Sequence, residues 1–166
     1  MTFFAGNRLA ASDLNDLLSK INNNRIPLLD HFGTTGSTAV GTAEAVTTTM
    51  PSATFSAHTA YRITFQGLCR MSAIGIMQVN FRDTNIAGTA RGGPGGFNVP
   101  AANTNYWGNF DHYIANTTSS DINRVLAVTI STSAGTGLFN AAATAPWSFV
   151  VTAVGLDTDW GQAVAL

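Results

Sequence analysis

After the Gly-, Thr- and Ser-rich stretch from Gly33 to Gly41, apolar and polar residues alternate with a period of two in several runs. Tyr61, Ile63 and Phe65 interleave with Arg62, Thr64 and Gln66, and Met77, Val79 and Phe81 with Gln78, Asn80 and Arg82. Leu126, Val128 and Ile130 repeat the pattern against Ala127, Thr129 and Ser131. Successive side chains of a strand point to opposite faces, so each run predicts a strand with one buried and one wet face. The run from Ser148 to Val154 is apolar on both faces. It predicts a mid-sheet strand covered on both sides, by a second sheet or by a neighbouring subunit. Weaker patterns place strands near 45–50, 54–56, 86–90, 106–116 and 137–141, separated by turn signals such as Pro51-Ser52, Asp83-Thr84-Asn85 and Gly92-Gly93-Pro94-Gly95-Gly96. About eight strands with no helical pattern between them predict a mainly β fold, an antiparallel jelly-roll-like β-sandwich. Its expected core holds Phe65, Val79, Phe81, Leu126, Val128, Ile130, Phe149 and Val151.

The N-terminal region follows a different pattern. Ser12 or Asp13 can cap a helix, and Leu14, Leu17, Leu18 and Ile21 recur at helical spacing as one apolar stripe. Asn22-Asn23-Asn24 weakens that helix and Pro27, lacking an N–H, ends it. A helix of about 10–13 residues is marginal alone in water, so its stripe needs a partner. That partner is either the chain's own β-domain or the same helix of sister subunits. Ahead of it, Phe3-Phe4-Ala5-Gly6-Asn7-Arg8-Leu9 forms an apolar peptide suited to anchoring in an assembly through Phe3, Phe4 and Leu9. The expected organisation is an anchoring peptide over 1–11, a short amphipathic helix over 12–26, a linker over 27–42 and a β-sandwich domain over 43–166.

Composition narrows the partners. Charged residues make up 10% of the 166 residues, and the net charge is −1, against about 25% charged residues in an average soluble domain. A chain so neutral either solvates itself with Thr, Ser and Asn or covers its surface with copies of itself. Low charge, the helix stripe and the two-faced apolar strand together predict a homotrimer. The arginines form no basic stripe, which argues against nucleic acid. No run approaches the ~18 apolar residues of a membrane span, so no membrane insertion is expected. The N-terminus does not read as a secretory signal. Cys69 stands alone inside an apolar strand and reads as a buried, inert thiol.

No catalytic constellation assembles. Asp30-His31 and Asp111-His112 are adjacent acid–base pairs, but neighbours in a strand face opposite ways. The glycine cluster 92–96 lacks the Lys-Ser/Thr and helix start of a phosphate cradle and reads as a mobile loop. Asp157-Thr158-Asp159 is a fragment of a calcium loop without its later ligands. Asn116-Thr117-Thr118 matches a glycosylation sequon with no secretory route. Neither cofactor nor metal is expected. The aromatic cluster Tyr106, Trp107, Phe110 and Tyr113 serves either as core, with Phe110 and Tyr113 filling the space between sheets, or as a sugar-stacking platform. Arg91, Asn98, Asn103 and Asn105, with Tyr106 and Trp107 nearby, are the candidate ligand-facing residues of a loop expected to point away from the N-terminal anchor.

The segment Phe3-Phe4-Ala5-Gly6-Asn7-Arg8-Leu9-Ala10-Ala11-Ser12-Asp13-Leu14-Asn15 resembles the N-terminus of small virion proteins of tailed phages infecting actinobacteria. Thr49-Met50-Pro51-Ser52-Ala53-Thr54-Phe55 with Ala60-Tyr61-Arg62-Ile63-Thr64-Phe65, then Phe81-Arg82-Asp83-Thr84, Arg124-Val125-Leu126-Ala127-Val128-Thr129 and the closing strand from Phe149, extend the resemblance along the chain. It implies a phage structural protein of the minor tail kind, with a trimerising jelly-roll-like β-domain and no catalytic residues. The expectation is a surface-exposed virion component made in the host bacterial cytoplasm and attached by its N-terminus to the tail. Decoration of the capsid exterior, or a module for a host receptor or host-surface glycan, are the alternatives.

Overall fold

The protein, seen here as a computed structural model, is described over residues 27–92 and 95–166. The anchoring residues Phe3, Phe4 and Leu9 and the stripe Leu14, Leu17, Leu18 and Ile21 lie outside the described residues. The described chain is almost wholly β: β1 (Leu29–Gly33), β2 (Ala45–Thr49), β3 (Ala53–Phe55), β4 (Thr59–Met71), β5 (Gly75–Asp83), β6 (Gly95–Val99), β7 (Tyr106–Asn116), β8 (Ile122–Arg124), β9 (Leu126–Thr132), β10 (Gly137–Asn140), β11 (Trp147–Leu156) and β12 (Val164–Ala165), with one 3-10 turn at Asp157–Asp159. Among the described residues no helix is long and apolar enough to cross a membrane.

Two sheets carry the domain, one in the order β1-β11-β4-β7-β12 with β10 also on β4, the other β2-β9-β5-β6. The small ribbon β3-β8 stands apart. Setting aside β3, β8, β10 and β12, the remaining strands pair first with last and inward from there. β1 joins β11, β2 joins β9, β4 joins β7 and β5 joins β6, all antiparallel. That is one long hairpin rolled on itself, the jelly-roll topology, and β4·β11 and β5·β9 close the roll.

Alternation explains why the roll has one inside. Along β4 the residues Ile63, Phe65, Cys69 and Met71 are buried while Arg62 is exposed and Thr64, Gln66, Leu68 and Arg70 are half-buried on the outer side. All eight expected core residues, from Phe65 to Val151, are buried. The sheets meet through edge-to-face aromatic pairs, Phe81–Phe149 at 5.7 Å and Phe97–Phe110 at 6.1 Å between ring centroids, a favoured geometry for ring quadrupoles. Each buried large side chain contributes roughly 1.5–3 kcal/mol.

Four expectations change. Leu29–Gly33, placed in a linker by its composition, is the edge strand β1: Leu29 and His31 turn inward, and His31 rests edge-on against Trp147 at 5.3 Å. Gly95 and Gly96, placed in a mobile loop, open strand β6 because β5 offers them a ladder from Val79 to Gly75. The region 86–90 is a turn with only Ala90 bridged to Arg82; Asn85 folds it by accepting from the Ala87 and Gly88 N–H groups at 2.9 and 3.0 Å. The strand at 148–154 does lie mid-sheet between β1 and β4, but only Phe149 and Val151 are buried. Its other face, with Ser148, Val150 and Thr152, is half-open within this chain.

Among the described residues, a charged cluster covers the outer face of the β2-β9-β5-β6 sheet. Glu44 accepts from Arg82 through both oxygens at 2.7 Å, from Asn80 at 3.1 Å and from the Thr129 hydroxyl. The Arg82 hydrogen bond, opposed by burial and aided by Thr129 and Asn80, holds the Glu44 carboxyl at about 2 instead of 4.5. A folded-state pKa below the unfolded one stabilises above about 4.5 and is lost as pH falls towards about 2. Glu44→Gln should therefore cost about 1–3 kcal/mol near neutrality, and should flatten the fall of the urea midpoint between those two pH values. Parallel curves for parent and variant would show that the pair adds nothing.

Candidate functional site

The expected ligand-facing residues separate in the structure. Arg91 is internal wiring. Its Nε and Nη2 donate to the two Asp83 carboxylate oxygens at 2.9 and 2.5 Å, and Nη1 donates to the Ala165 carbonyl at 2.6 Å. The guanidinium thus ties the end of β5 to the C-terminal strand β12, and it cannot also face a ligand. Asn98 is exposed on β6 opposite Ile76, on the outer face of the other sheet from Trp107. Asn103 sits in a turn with φ 58° and donates its N–H to Met71 O at 2.7 Å. Tyr106 points inward and packs against the core. Asn105, through its bond to Asn140, and Trp107 both belong to the stretch around Leu68.

The glycine cluster also differs from expectation. Gly92 is buried, and a Cβ there would lie 3.0 Å from His112 Cδ2 and 3.2 Å from Phe81. The backbone lies directly over the His112 ring instead of pointing away into solvent. Asp111 does not share that cover. It turns outward, accepting from Arg62 at 2.6 and 3.2 Å and from Thr64 at 2.6 Å. Burial pushes its carboxyl up, but the Arg62 and Thr64 bonds outweigh this and leave it below its usual range. His112 Nε2 is buried with no hydrogen-bond partner among the described residues. With no carboxylate to orient the imidazole, the two residues form no acid–base dyad. Asp30 likewise faces out while His31 faces in.

Other candidate groups are used by the fold itself. Cys69 is fully buried, and burial pushes its thiol up to about 12, far from reactive. Asp157 meets His58 Nδ1 at 3.3 Å and accepts from the Thr158 N–H at 2.9 Å. Among the described residues no three His, Cys, Asp or Glu side chains gather around a common point as a metal site. The sequon residue Asn116 is buried; its amide donates to the carbonyls of Phe55 and Ser120 at 2.9 and 2.8 Å, pinning the β3-β8 ribbon. Tyr113, expected between the sheets, faces outward and stacks on Trp160 at 4.7 Å.

What remains is a patch on the outer face of the β4-bearing sheet. Leu68 stands between Trp107 of β7 on one side and Asn140 of β10 on the other, and Arg70 is the next outward residue of β4, opposite Leu138. Trp107 is 53% exposed. Asn140 Nδ2 donates to Asn105 Oδ1 at 3.3 Å, an amide pair spanning the β4 strand. Gly108 positions the ring: a Cβ there would meet Cys69 Sγ at 2.5 Å and Phe110 at 2.9 Å. Its lack of a side chain lets β7 close on β4 and sets Trp107 beside Leu68. Sequence reading found Trp107 and Asn105 but missed Leu68, Arg70 and Asn140, whose proximity depends on strand pairing across long sequence separations.

No protein-family model matches the chain, and no curated protein matches it in sequence. Similar solved structures include the enzymatically active domain of tailspike protein 4 of bacteriophage CBA120, at 11% identity and TM-score 0.36, covering 76% of this chain and 18% of that one. Another is the VP2 subviral particle of infectious bursal disease virus, at 13% identity and TM-score 0.39, covering 77% of this chain and 38% of that one. The chain thus spans well under two thirds of the length of either protein.

Burial holds the His112 imidazole below its ordinary 6.5. The folded protein therefore binds that proton less tightly than the unfolded chain, so the stability this confers is present above about 6.5 and drains away as pH falls below it. His112→Leu should lose less melting temperature than the parent between pH 7.5 and 5.5. Equal losses in a thermal scan would mean that the ring protonates without disturbing the fold.

Proposed function

We propose that this chain is a non-enzymatic structural component of a phage virion, a homotrimer attached through its N-terminal peptide to the tail with the jelly roll displayed outward. One observation carries the self-assembly reading. Phe32 is 64% exposed on β1, the edge strand entered directly from the N-terminal segment. An open edge bearing a large apolar side chain is a template for pairing with another chain unless something covers it. Val150, half-open on the same face of β11, extends that surface. The sequence resemblance adds weight, because its motifs fall on β3, β4, the end of β5, β9 and β11, the strands that build the roll. Decoration of a capsid exterior is the alternative, and it draws on the same observations.

Three experiments test this. A chain lacking residues 1–10 should fold and remain soluble yet fail to enter particles; normal incorporation would overturn the anchor, and loss of folding would make the peptide part of the domain. Immunogold labelling of intact particles then distinguishes tail from capsid. Light scattering of the purified full chain should give a trimer, and Phe32→Asp should shift it towards monomer while the far-UV circular dichroism keeps its β-sheet shape. A stable monomer at micromolar concentration would remove the trimer.

A further inference from the structure

Of the five arginines among the described residues, four lie near a carboxylate: Arg62 with Asp111, Arg82 with Glu44, and Arg91 and Arg124 with Asp83. Arg70 has no such partner among the described residues. It stands on the outer face of β4, one outward position beyond Leu68, which Trp107 faces across the ladder. The Asn105–Asn140 amide pair lies over the same stretch. An exposed indole, two amides and a guanidinium with no carboxylate partner among the described residues are thus gathered on one sheet face.

We infer that this face is a binding site for an acidic saccharide, a sugar carrying a carboxylate. Each part has a separate role. The C–H face of a pyranose ring is apolar and flat, and it removes its own apolar surface and that of Trp107 from water when it lies on the indole. Asn105 and Asn140 each keep amide donors and acceptors beyond their mutual bond, suited to ring hydroxyls. The Arg70 guanidinium supplies a planar fork that matches a carboxylate with two parallel N–H···O bonds. Charge complementarity selects the acidic sugar over a neutral one. Elsewhere on this face the cation Arg62 is already neutralised by Asp111, so the net attraction for an anion is concentrated at Arg70. Because strands β4, β7 and β10 hold all of these residues or flank them, little ordering cost accompanies binding.

The site deepens the displayed-protein reading but does not depend on it, since purified protein suffices for the test. The full chain is applied to an array of uronic-acid- and sialic-acid-bearing oligosaccharides printed beside their neutral counterparts, and hits are measured by calorimetry at low and high salt. Binding confined to the carboxylated sugars and weakened by salt is expected. Trp107→Ala should weaken it about tenfold or more, Trp107→Phe should retain most of it, and Arg70→Gln should abolish the preference for the acidic member of each pair. Melting curves should stay at the parent value, because both positions lie on the outer face. No binding to any acidic sugar, equal binding to the neutral set, or affinity indifferent to both substitutions overturns the proposal. A change in oligomeric state on Trp107→Ala with no change in sugar binding also overturns it, and assigns the patch to contact between copies.

Discussion

The structure depends on one strand keeping its register. β4 runs for thirteen residues and pairs with β7 along one edge and with β11 and then β10 along the other. Side chains alternate with period two, so a slip of one residue would carry Ile63, Phe65, Cys69 and Met71 to the wet side and Arg62 and Arg70 into the core. Phe65 makes that slip costly. It meets Phe139 at 4.5 Å, Trp147 at 6.1 Å and Phe149 at 6.4 Å, rings drawn from the two strands that share its other edge. The roll closes around this strand, and the parity of the outer face, including which residues surround Trp107, follows from it.

Charge is scarce here, and three ion pairs among the described residues hold the roll together. Glu44 with Arg82 caps the outer side of one sheet, Asp83 with Arg91 anchors the C-terminal strand, and Arg62 with Asp111 bridges β4 to β7. The first two pairs are substantially shielded from water, where multiple hydrogen bonds offset part of the desolvation cost. The low charge of the chain is thus not spread evenly. Among the described residues it leaves an outer surface of hydroxyls, amides and a few large apolar side chains, on which Arg70, with no carboxylate partner among those residues, exerts its field with little competition.

Much of this was legible in the sequence because burial and periodicity agree there. The runs at Tyr61–Phe65, Met77–Phe81 and Leu126–Ile130 announce both strand and face, and the opposed directions of Asp111 and His112 follow from the same parity. The failures have separate causes. In β1 the pattern is inverted: a polar His31 faces in against Trp147, while an apolar Phe32 faces out. In β6 two glycines carry no side-chain signal, and the strand exists because β5 provides its hydrogen bonds. Arg91 looked like a loop contact because its partners, Asp83 and the Ala165 carbonyl, are brought to it only by the closed fold. Composition reads the residue; topology decides its partner.

Strand parity separates the two histidine–aspartate neighbours from the patch at Trp107. Catalysis by a histidine needs an orienting group and an approach on the same side of the sheet. Strand parity denies this to His112, whose acidic neighbour is held on the far face by Arg62 and Thr64. Recognition of a flat ligand needs the opposite arrangement, several side chains of one parity on adjacent strands. Leu68, Arg70, Trp107 and Asn140 have that relation by register. Strands that alternate as β4 and β7 do here are therefore poorly suited to assembling a buried dyad from sequence neighbours, and well suited to presenting a fixed, open platform.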